Sequence, residues 1–339
     1  MDPSERVLLG RTRLTVTRLG LGTAPLGGLF EAVADRRAHA TVERAYETGL
    51  RFFDTAPLYG YGLAEQRIGH VLRGKPRGEY VLSTKVGRLL RAGAPPDLTQ
   101  FDRGKPFYQG TPDVSPIFDF SYDGVMRSIE ESLTRLELDR VDILHIHDPD
   151  AHYPEACGGA YRALDHLRRE GTIAAVGAGM NQAELLERFV REVDLDCVLV
   201  AGRYTLLDQA ALGGLLPACR ARQVAVIVGG VYNSGILADP RMGATFDYVP
   251  APPGLVAKAQ HIHAICQRHG VPLKAAALQF PFGHPAVSAV LIGCRSSAEV
   301  DENIQCLRYP IPAALWENLR RERLLPADAP LPGEGGDGA

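Results

Sequence analysis

Eight short β-rich runs, each followed by a longer stretch of helical spacing, do most to restrict the fold of this 339-residue chain. The runs are Arg18–Leu21, Arg51–Phe53, Tyr80–Thr84, Val141–Ile146, Ile173–Val176, Cys197–Val200, Val224–Val228 and Ala289–Ile292. Most are apolar without alternation, the pattern of parallel strands covered on both faces. Between them, apolar residues recur every three or four positions, most clearly at Tyr122, Val125, Met126, Ile129, Leu133 and Leu136. Asn181 with Glu184, and Ser296 with Glu299, have the spacing of capping boxes that open two helices. Alternating strands and helices predict a parallel α/β sheet, either closed or open and doubly wound. Eight units favour closure. An open dinucleotide fold would show GxGxxG after its first strand, where this chain has Gly20–Leu21–Gly22–Thr23–Ala24–Pro25. The expected fold class is therefore α/β, a (β/α)8 TIM barrel. It is preceded by an N-terminal β-hairpin, with Val7–Leu9 and Leu14–Val16 flanking a polar turn at Gly10.

Two stretches fall outside the alternation. Residues 88–120, rich in Pro and Gly, make a long loop after the third strand, and connections of that length are usually functional or disordered. It is expected over the mouth of the barrel. The tail, residues 326–339, has a disordered composition. Residues 1–325 are thus read as a single barrel domain, longer than the ~250 residues of a plain barrel. A net charge of −3 gives no electrostatic reason to expect nucleic acid or an anionic membrane as partner. The first residues lack the apolar centre of a secretory signal, and no apolar run is long enough to span a bilayer. The six cysteines are scattered without metal-ligand spacing, so no metal is expected and a cytoplasmic location is.

In such a barrel, polar residues at the C-terminal strand ends converge on one mouth. The second strand ends RFFDTAPLYGYG, with Asp54 at its tip and Tyr59 just beyond. The third ends VLSTKVG, with Lys85 at its tip, and the fourth ends DILHIHDPD, with His147 at its tip. Singly, each has an ordinary structural use as helix cap, packing residue or buried histidine. Together, on adjacent strands, they bring an acid, a phenol, an amine and an imidazole to one rim, which is a proton-transfer site. Carbonyl reduction needs a hydride on carbon and a proton on oxygen. Tyr59 can supply that proton if its pKa, near 10 when unperturbed, is lowered by the Lys85 ammonium. Asp54 would orient Lys85, His147 would donate to or orient the substrate oxygen, and in the oxidative direction Tyr59 is the base. His145, two residues from His147, is read as structural. Asp148, Tyr122, Phe118 and Arg203 are candidates for the substrate mouth, although Arg203 and Tyr204 could equally pack under a loop.

A second candidate lies in VLIGCRSSAEVDENI, where a strand ending at Gly293 turns into a helix opening at Ser296–Ser297. A helix N-terminus favours a phosphate, and Arg295 could add a charge-assisted contact.

RFFDTAPLYGYGLAEQRIG, STKVG and DILHIHDPD resemble the aldo-keto reductase superfamily over nearly the whole chain. PLYGYG, FDFSYDGVMRSIEESLTRL, RYTLLDQ and YNSGILA are most similar to its D-threo-aldose 1-dehydrogenase branch, which includes L-fucose and L-galactose dehydrogenases, with pyridoxal 4-dehydrogenase a close neighbour. The resemblance implies an NAD(P)-dependent oxidoreductase whose tetrad is Asp54, Tyr59, Lys85 and His147. It also implies phosphate contacts at Arg295 and Ser296, with Glu302 and Asn303 near adenine. Asn233–Ser234–Gly235–Ile236–Leu237 would wrap the pyrophosphate, Gly22 and Thr23 would lie near the nicotinamide ribose, and Asn181 near the carboxamide. Arg295 tilts the expectation towards NADP, with NAD possible. The chain departs from the usual family pattern at Met180, Ala201–Gly202 and Gly229, positions that the resemblance places around the nicotinamide. The expected activity is hydride transfer between the nicotinamide and a sugar C1 hydroxyl or small carbonyl, foremost as an aldose 1-dehydrogenase. The alternatives are an aldehyde or ketone reductase of secondary metabolism, and a nicotinamide-binding regulatory subunit. A small-molecule partner is expected; substrate, direction of reaction and oligomeric state are left open.

Overall fold

The structure, a computed structural model, describes residues 1–333. Eight parallel strands close a barrel in sequence order: β1 (Leu19–Gly22), β2 (Phe52–Asp54), β3 (Val81–Val86), β4 (Ile143–His147), β5 (Ala175–Met180), β6 (Cys197–Ala201), β7 (Ala225–Gly229) and β8 (Val287–Gly293). The last pairs with the first, Val290 opposite Leu19 and Gly293 opposite Gly22. All eight runs expected from sequence are strands, and most begin one or two residues later than the apolar signal does. Residues such as Val141 and Ile173 are buried beneath the barrel before the ladder begins. Helices α1 (Asp35–Glu47), α2 (Leu63–Leu72), α3 (Tyr122–Leu136), α4 (Tyr161–Arg169), α5 (Ala183–Glu192) and α6 (Leu215–Arg222) follow the first six strands. The long α7 (Pro253–Arg268) and short α8 (Leu273–Gln279) lie between β7 and β8, and α9 (Ser297–Arg308) and α10 (Ala313–Arg321) come last.

Side chains alternate along a strand, so every second residue points into the barrel. The inner set has two levels. Below, Phe52, Val81, Ile143, Ala175, Cys197, Leu199, Ala225, Ile227, Ala289 and Leu291 form an apolar plug, closed at its base by Leu9 and Val16 of the N-terminal hairpin. That hairpin pairs Arg6–Leu8 with Thr15–Thr17. Higher up, the same alternation brings Asp54, two residues above Phe52, and Lys85 and His147, four residues above Val81 and Ile143. The other five strands bring Gly179, Ala201, Gly229, Gly293 and Gly22. Three strands supply functional groups and five supply room.

Three expectations need correction. Asn181 does not cap a helix: α5 begins two residues later, with Gln182 at its N-cap and no side-chain cap bond. Ser296 does cap α9, accepting from the Glu299 N–H, whereas the Glu299 carboxylate reaches back to the Arg295 N–H at 2.8 Å. Residues 88–120 are not structureless. Arg88–Arg91 pairs with Ser115–Phe118, and Phe101–Asp102 with Lys105–Pro106, so the insertion folds as two small antiparallel pairs. A backbone bridge between Leu29 and Tyr108 stitches it to the loop after β1. The tail docks at its start: Ala329 and Leu331 are buried, and Arg320 donates to the Ala329 carbonyl at 2.9 Å. Residues 334–339, the rest of the expected disordered tail, lie outside the described residues. No helix among the described residues is long and apolar enough to cross a membrane.

Candidate active site

Asp54, Lys85 and His147 are each buried almost completely. The Lys85 ammonium donates to Asp54 Oδ2 at 2.6 Å and to the Thr55 carbonyl at 2.9 Å. Ser83, also on β3, donates to Asp54 Oδ1 at 2.7 Å, so both carboxylate oxygens are engaged. Lys85 Nζ lies 4.7 Å from the centre of the Tyr59 ring. His147 presents its ring edge-on to Tyr59, with centroids 5.8 Å apart. The loop carrying Tyr59 is fixed by contact of backbone on backbone: a Cβ on Gly27 would stand 2.6 Å from the Gly60 nitrogen and from the Tyr59 carbonyl carbon. The four residues expected from sequence are thus gathered at one end of the barrel.

The electrostatics differ from expectation in one respect. Burial, reinforced by the Asp54 carboxylate, pushes the Tyr59 phenol well above its ordinary value. The lowering by Lys85 expected from sequence is outweighed because Asp54 pairs the ammonium in a dry site. Tyr59 therefore rests protonated. Burial, then the positive charges of Arg88 and Lys85, hold the His147 imidazole well below the usual histidine range, so it is neutral. His145 lies level with Lys85 in the β3–β4 ladder, fully buried, and burial lowers its pKa to about 3. Neither of its ring nitrogens has a hydrogen-bond partner. A Cβ on Gly177 would stand 2.3 Å from its Nδ1, so glycine there makes room for the ring.

Two cavities meet beside Tyr59. The first, about 490 Å³, runs towards the N-terminus of α9, and the second, about 480 Å³, lies over Lys85 and His147; Tyr59, Asn181, Leu199 and Ala201 line both. Of the expected cofactor residues, Gly22, Asn181, Asn233, Ser234, Gly235, Gly293, Arg295, Glu302 and Asn303 line the first cavity. Three do not. Thr23 is buried and donates to the Asp54 carbonyl at 3.0 Å, Leu237 is a core residue, and the Ser296 hydroxyl accepts the capping bond from the Glu299 N–H. Six glycines, Gly22, Gly202, Gly229, Gly230, Gly235 and Gly293, face the cavity, so a bound dinucleotide could approach the backbone closely there. At Gly235, φ is +105° and no heavy atom lies within 4 Å of where a Cβ would stand.

Phe118 and Asp148 line the second cavity, as expected. Tyr122 and Arg203 line neither. Tyr122 opens α3 on the surface beside His166. Arg203 grips Asp247 through both terminal nitrogens and so anchors the loop after β7, while Tyr204 is wholly buried. Sequence reading missed Arg88, Tyr108, Lys274 and Tyr248 altogether, and placed Glu299 only as a capping partner. Arg88 and Tyr108 sit in the insertion, whose pairing has no clear signature in its Pro- and Gly-rich composition. Tyr248 joins Phe30 and Phe107 in a three-ring cluster, with centroids 5.7–6.2 Å apart, made by three separate loops.

The Aldo/keto reductase family model matches residues 18–321, nearly the whole barrel. The chain belongs to the aldo/keto reductase family. It is 45% identical to a pyridoxal 4-dehydrogenase from Microbacterium luteolum, over 96% of this chain and 99% of that one. It is 42% identical to a D-threo-aldose 1-dehydrogenase from a Pseudomonas species, over 92% and 96%. An aldo-keto reductase from Bacillus halodurans, solved in its holo form, superposes with a TM-score of 0.73 at 21% identity, covering 98% of this chain and 99% of that one, and so shares the fold. This aldo/keto reductase is accordingly a nicotinamide-dependent oxidoreductase, and Asp54, Tyr59, Lys85 and His147 are its candidate tetrad.

Proposed function

We propose that the enzyme oxidises the anomeric hydroxyl of a small, uncharged sugar, or a comparable hemiacetal hydroxyl, to a lactone. The observation that carries this is the position of Tyr59, where the glycine-lined cavity and a second cavity meet beside Lys85, Asp54 and His147. Bound nicotinamide supplies the hydride acceptor. As hydride leaves the carbinol carbon, the hydroxyl proton passes to Tyr59 Oη and the C–O bond becomes a carbonyl. Lys85 stabilises the phenolate that must accept that proton, and Asp54 fixes the ammonium. His147, neutral, orients the substrate oxygen. The high phenol pKa also suits the opposite direction, with Tyr59 as proton donor to a small carbonyl.

The second cavity supports a neutral polyol. Asp148 and Asp150 face it, and the Arg88 cation already has Asp148 as a partner. Phe107, Tyr108, Phe118 and Tyr248 offer flat apolar surfaces to a ring. Both named relatives act on substrates that can close such a hemiacetal ring.

NAD is the better-supported cofactor. The Glu299 carboxylate faces the first cavity and accepts from the Arg295 N–H, a donor that a phosphate at this helix terminus would need. An acid there suits a ribose 2′-hydroxyl and repels a 2′-phosphate. The Arg295 guanidinium, which tilts the sequence reading towards NADP, donates to the Leu29 carbonyl at 3.0 Å. All six cysteines are free thiols, which fits a reducing cytoplasm. The test is NAD+ reduction with a panel of aldoses, their phosphates, pyridoxal and simple alcohols. Turnover of free aldoses or pyridoxal, with phosphorylated sugars poor, is expected. Brisk aldehyde-dependent NADPH oxidation without any hemiacetal oxidation would overturn the proposal.

A further inference from the structure

Arg88 opens the insertion and has no part in the tetrad. Its backbone is set by Gly87, where φ is +106° and a Cβ would stand 2.0 Å from the Phe120 ring. The Ser128 hydroxyl donates to its carbonyl, and its strand pairs Arg88 with Phe118. The side chain is buried, although it borders the second cavity. One terminal nitrogen donates to the His147 carbonyl at 3.1 Å, and the other reaches Asp148 Oδ2 at 3.3 Å. The guanidinium lies 4.7 Å from the centre of the Phe118 ring. Asp148 carries φ of +42°, a left-handed conformation uncommon outside glycine that aspartate adopts more readily than most, and its N–H donates to the Gly179 carbonyl. Asp148 Oδ2 in turn lies 3.4 Å from His147 Nε2.

We propose that Arg88 is a positioning residue for this active site: one planar fork holds the His147 carbonyl and the Asp148 carboxylate together, and places a fixed positive charge beside the imidazole. The proposal rests on the assignment of His147 to the tetrad made above. Arginine is required because a lysine ammonium cannot span carbonyl and carboxylate with two fixed donors. The groups facing His147 are Lys85 with its partner Asp54, Tyr59, His145 on the same strand, Asp148 and Arg88, with Asp150 and His152 further along the cavity wall. Among these, Lys85 has its charge answered by Asp54. The Asp148 carboxylate, close to Nε2, would by itself favour an imidazolium. Arg88 counters it. An imidazolium at His147 would oppose departure of hydride from the adjacent carbon, so a neutral ring matters to substrate oxidation. The insertion thereby reaches the chemistry through its first residue.

The decisive experiment is a titration of the His147 ring by NMR on 15N-histidine-labelled protein, with the resonance identified by its loss in His147→Gln. In Arg88→Met the midpoint should rise by about one pH unit. In Arg88→Lys it should stay near wild type, while kcat falls by about tenfold to a hundredfold because the fork is lost. The acid limb of kcat should follow the same order. If Arg88→Met folds poorly, Arg88→Gln, which keeps a donor for the His147 carbonyl without the charge, should show the same rise. An unchanged midpoint in the folded charge-free variant overturns the proposal, even if stability or activity falls. The titration needs no substrate, so absence of turnover in the wild-type enzyme would count against the proposed function alone.

Discussion

At the scale of single residues, the polar groups of the upper barrel are governed by how little water reaches them. Burial raises the Tyr59 phenol and leaves His147 and His145 neutral. Substrate oxidation needs an unprotonated Tyr59, so its rate should climb with pH on the alkaline side, and the reductive rate should fall there. Initial rates in both directions across a pH series check this. His145 bears on stability. Its folded pKa of about 3 lies below the unfolded value of 6.5, so the unfolded chain binds the extra proton between those limits. Stability from this group is full above pH 6.5 and is lost as pH falls, by about 2 kcal/mol at about pH 5. His145→Leu should therefore flatten the acid side of a melting-temperature profile; an unchanged slope would mean that His145 is solvated. The gathering of the four residues was legible in sequence because Asp54, Lys85 and His147 stand at strand ends and Tyr59 follows in the loop just after Asp54. The protonation state of Tyr59 was not, because it depends on burial and on Asp54 pairing the ammonium.

At the scale of elements, close backbone contact decides where glycine is needed. Gly69 lies within α2, where alanine would normally gain about 1 kcal/mol in helix propensity. A Cβ there would stand 2.0 Å from the Leu136 carbonyl oxygen at the end of α3, however, and backbone cannot yield as a side chain can. Gly69→Ala should cost roughly 2 kcal/mol or more, read by urea denaturation, and a neutral or stabilising result would contradict the packing of α2 on α3. The eight strands were visible as continuous apolar runs, since both faces of most are buried, and the helices as the three-to-four spacing between them, most clearly in α3. Most strand starts were placed early because the apolar signal begins in the segment that enters the barrel, before the ladder hydrogen bonds. The pairs within 88–120 were hidden because two- and four-residue strands carry too little alternation to register.

At the scale of the whole molecule, the upper barrel divides between strands that bear functional groups and strands that bear small residues. The departures noted in sequence at Ala201–Gly202 and Gly229 belong to the second class, and become part of the wall of the first cavity, the proposed dinucleotide site. Cofactor choice tests that cavity. Glu299→Gln should improve NADP+ affinity by about tenfold with a smaller change for NAD+, an order set by one charge pair of about 1.4 kcal/mol near the surface. Fluorescence titration of both dinucleotides reads it directly, and equal shifts for both would argue against a 2′-phosphate clash. The proposed role of Tyr59, set between two cavities beside Lys85, Asp54 and His147, is to carry the proton in a nicotinamide-linked oxidation. Its most direct test is the steady-state rate of NAD+ reduction by wild type and Tyr59→Phe with the best hemiacetal substrate, alongside NAD+ binding to both. Loss of roughly 10²–10⁴-fold in kcat with NAD+ affinity retained is the expected result; undiminished turnover in Tyr59→Phe would contradict it.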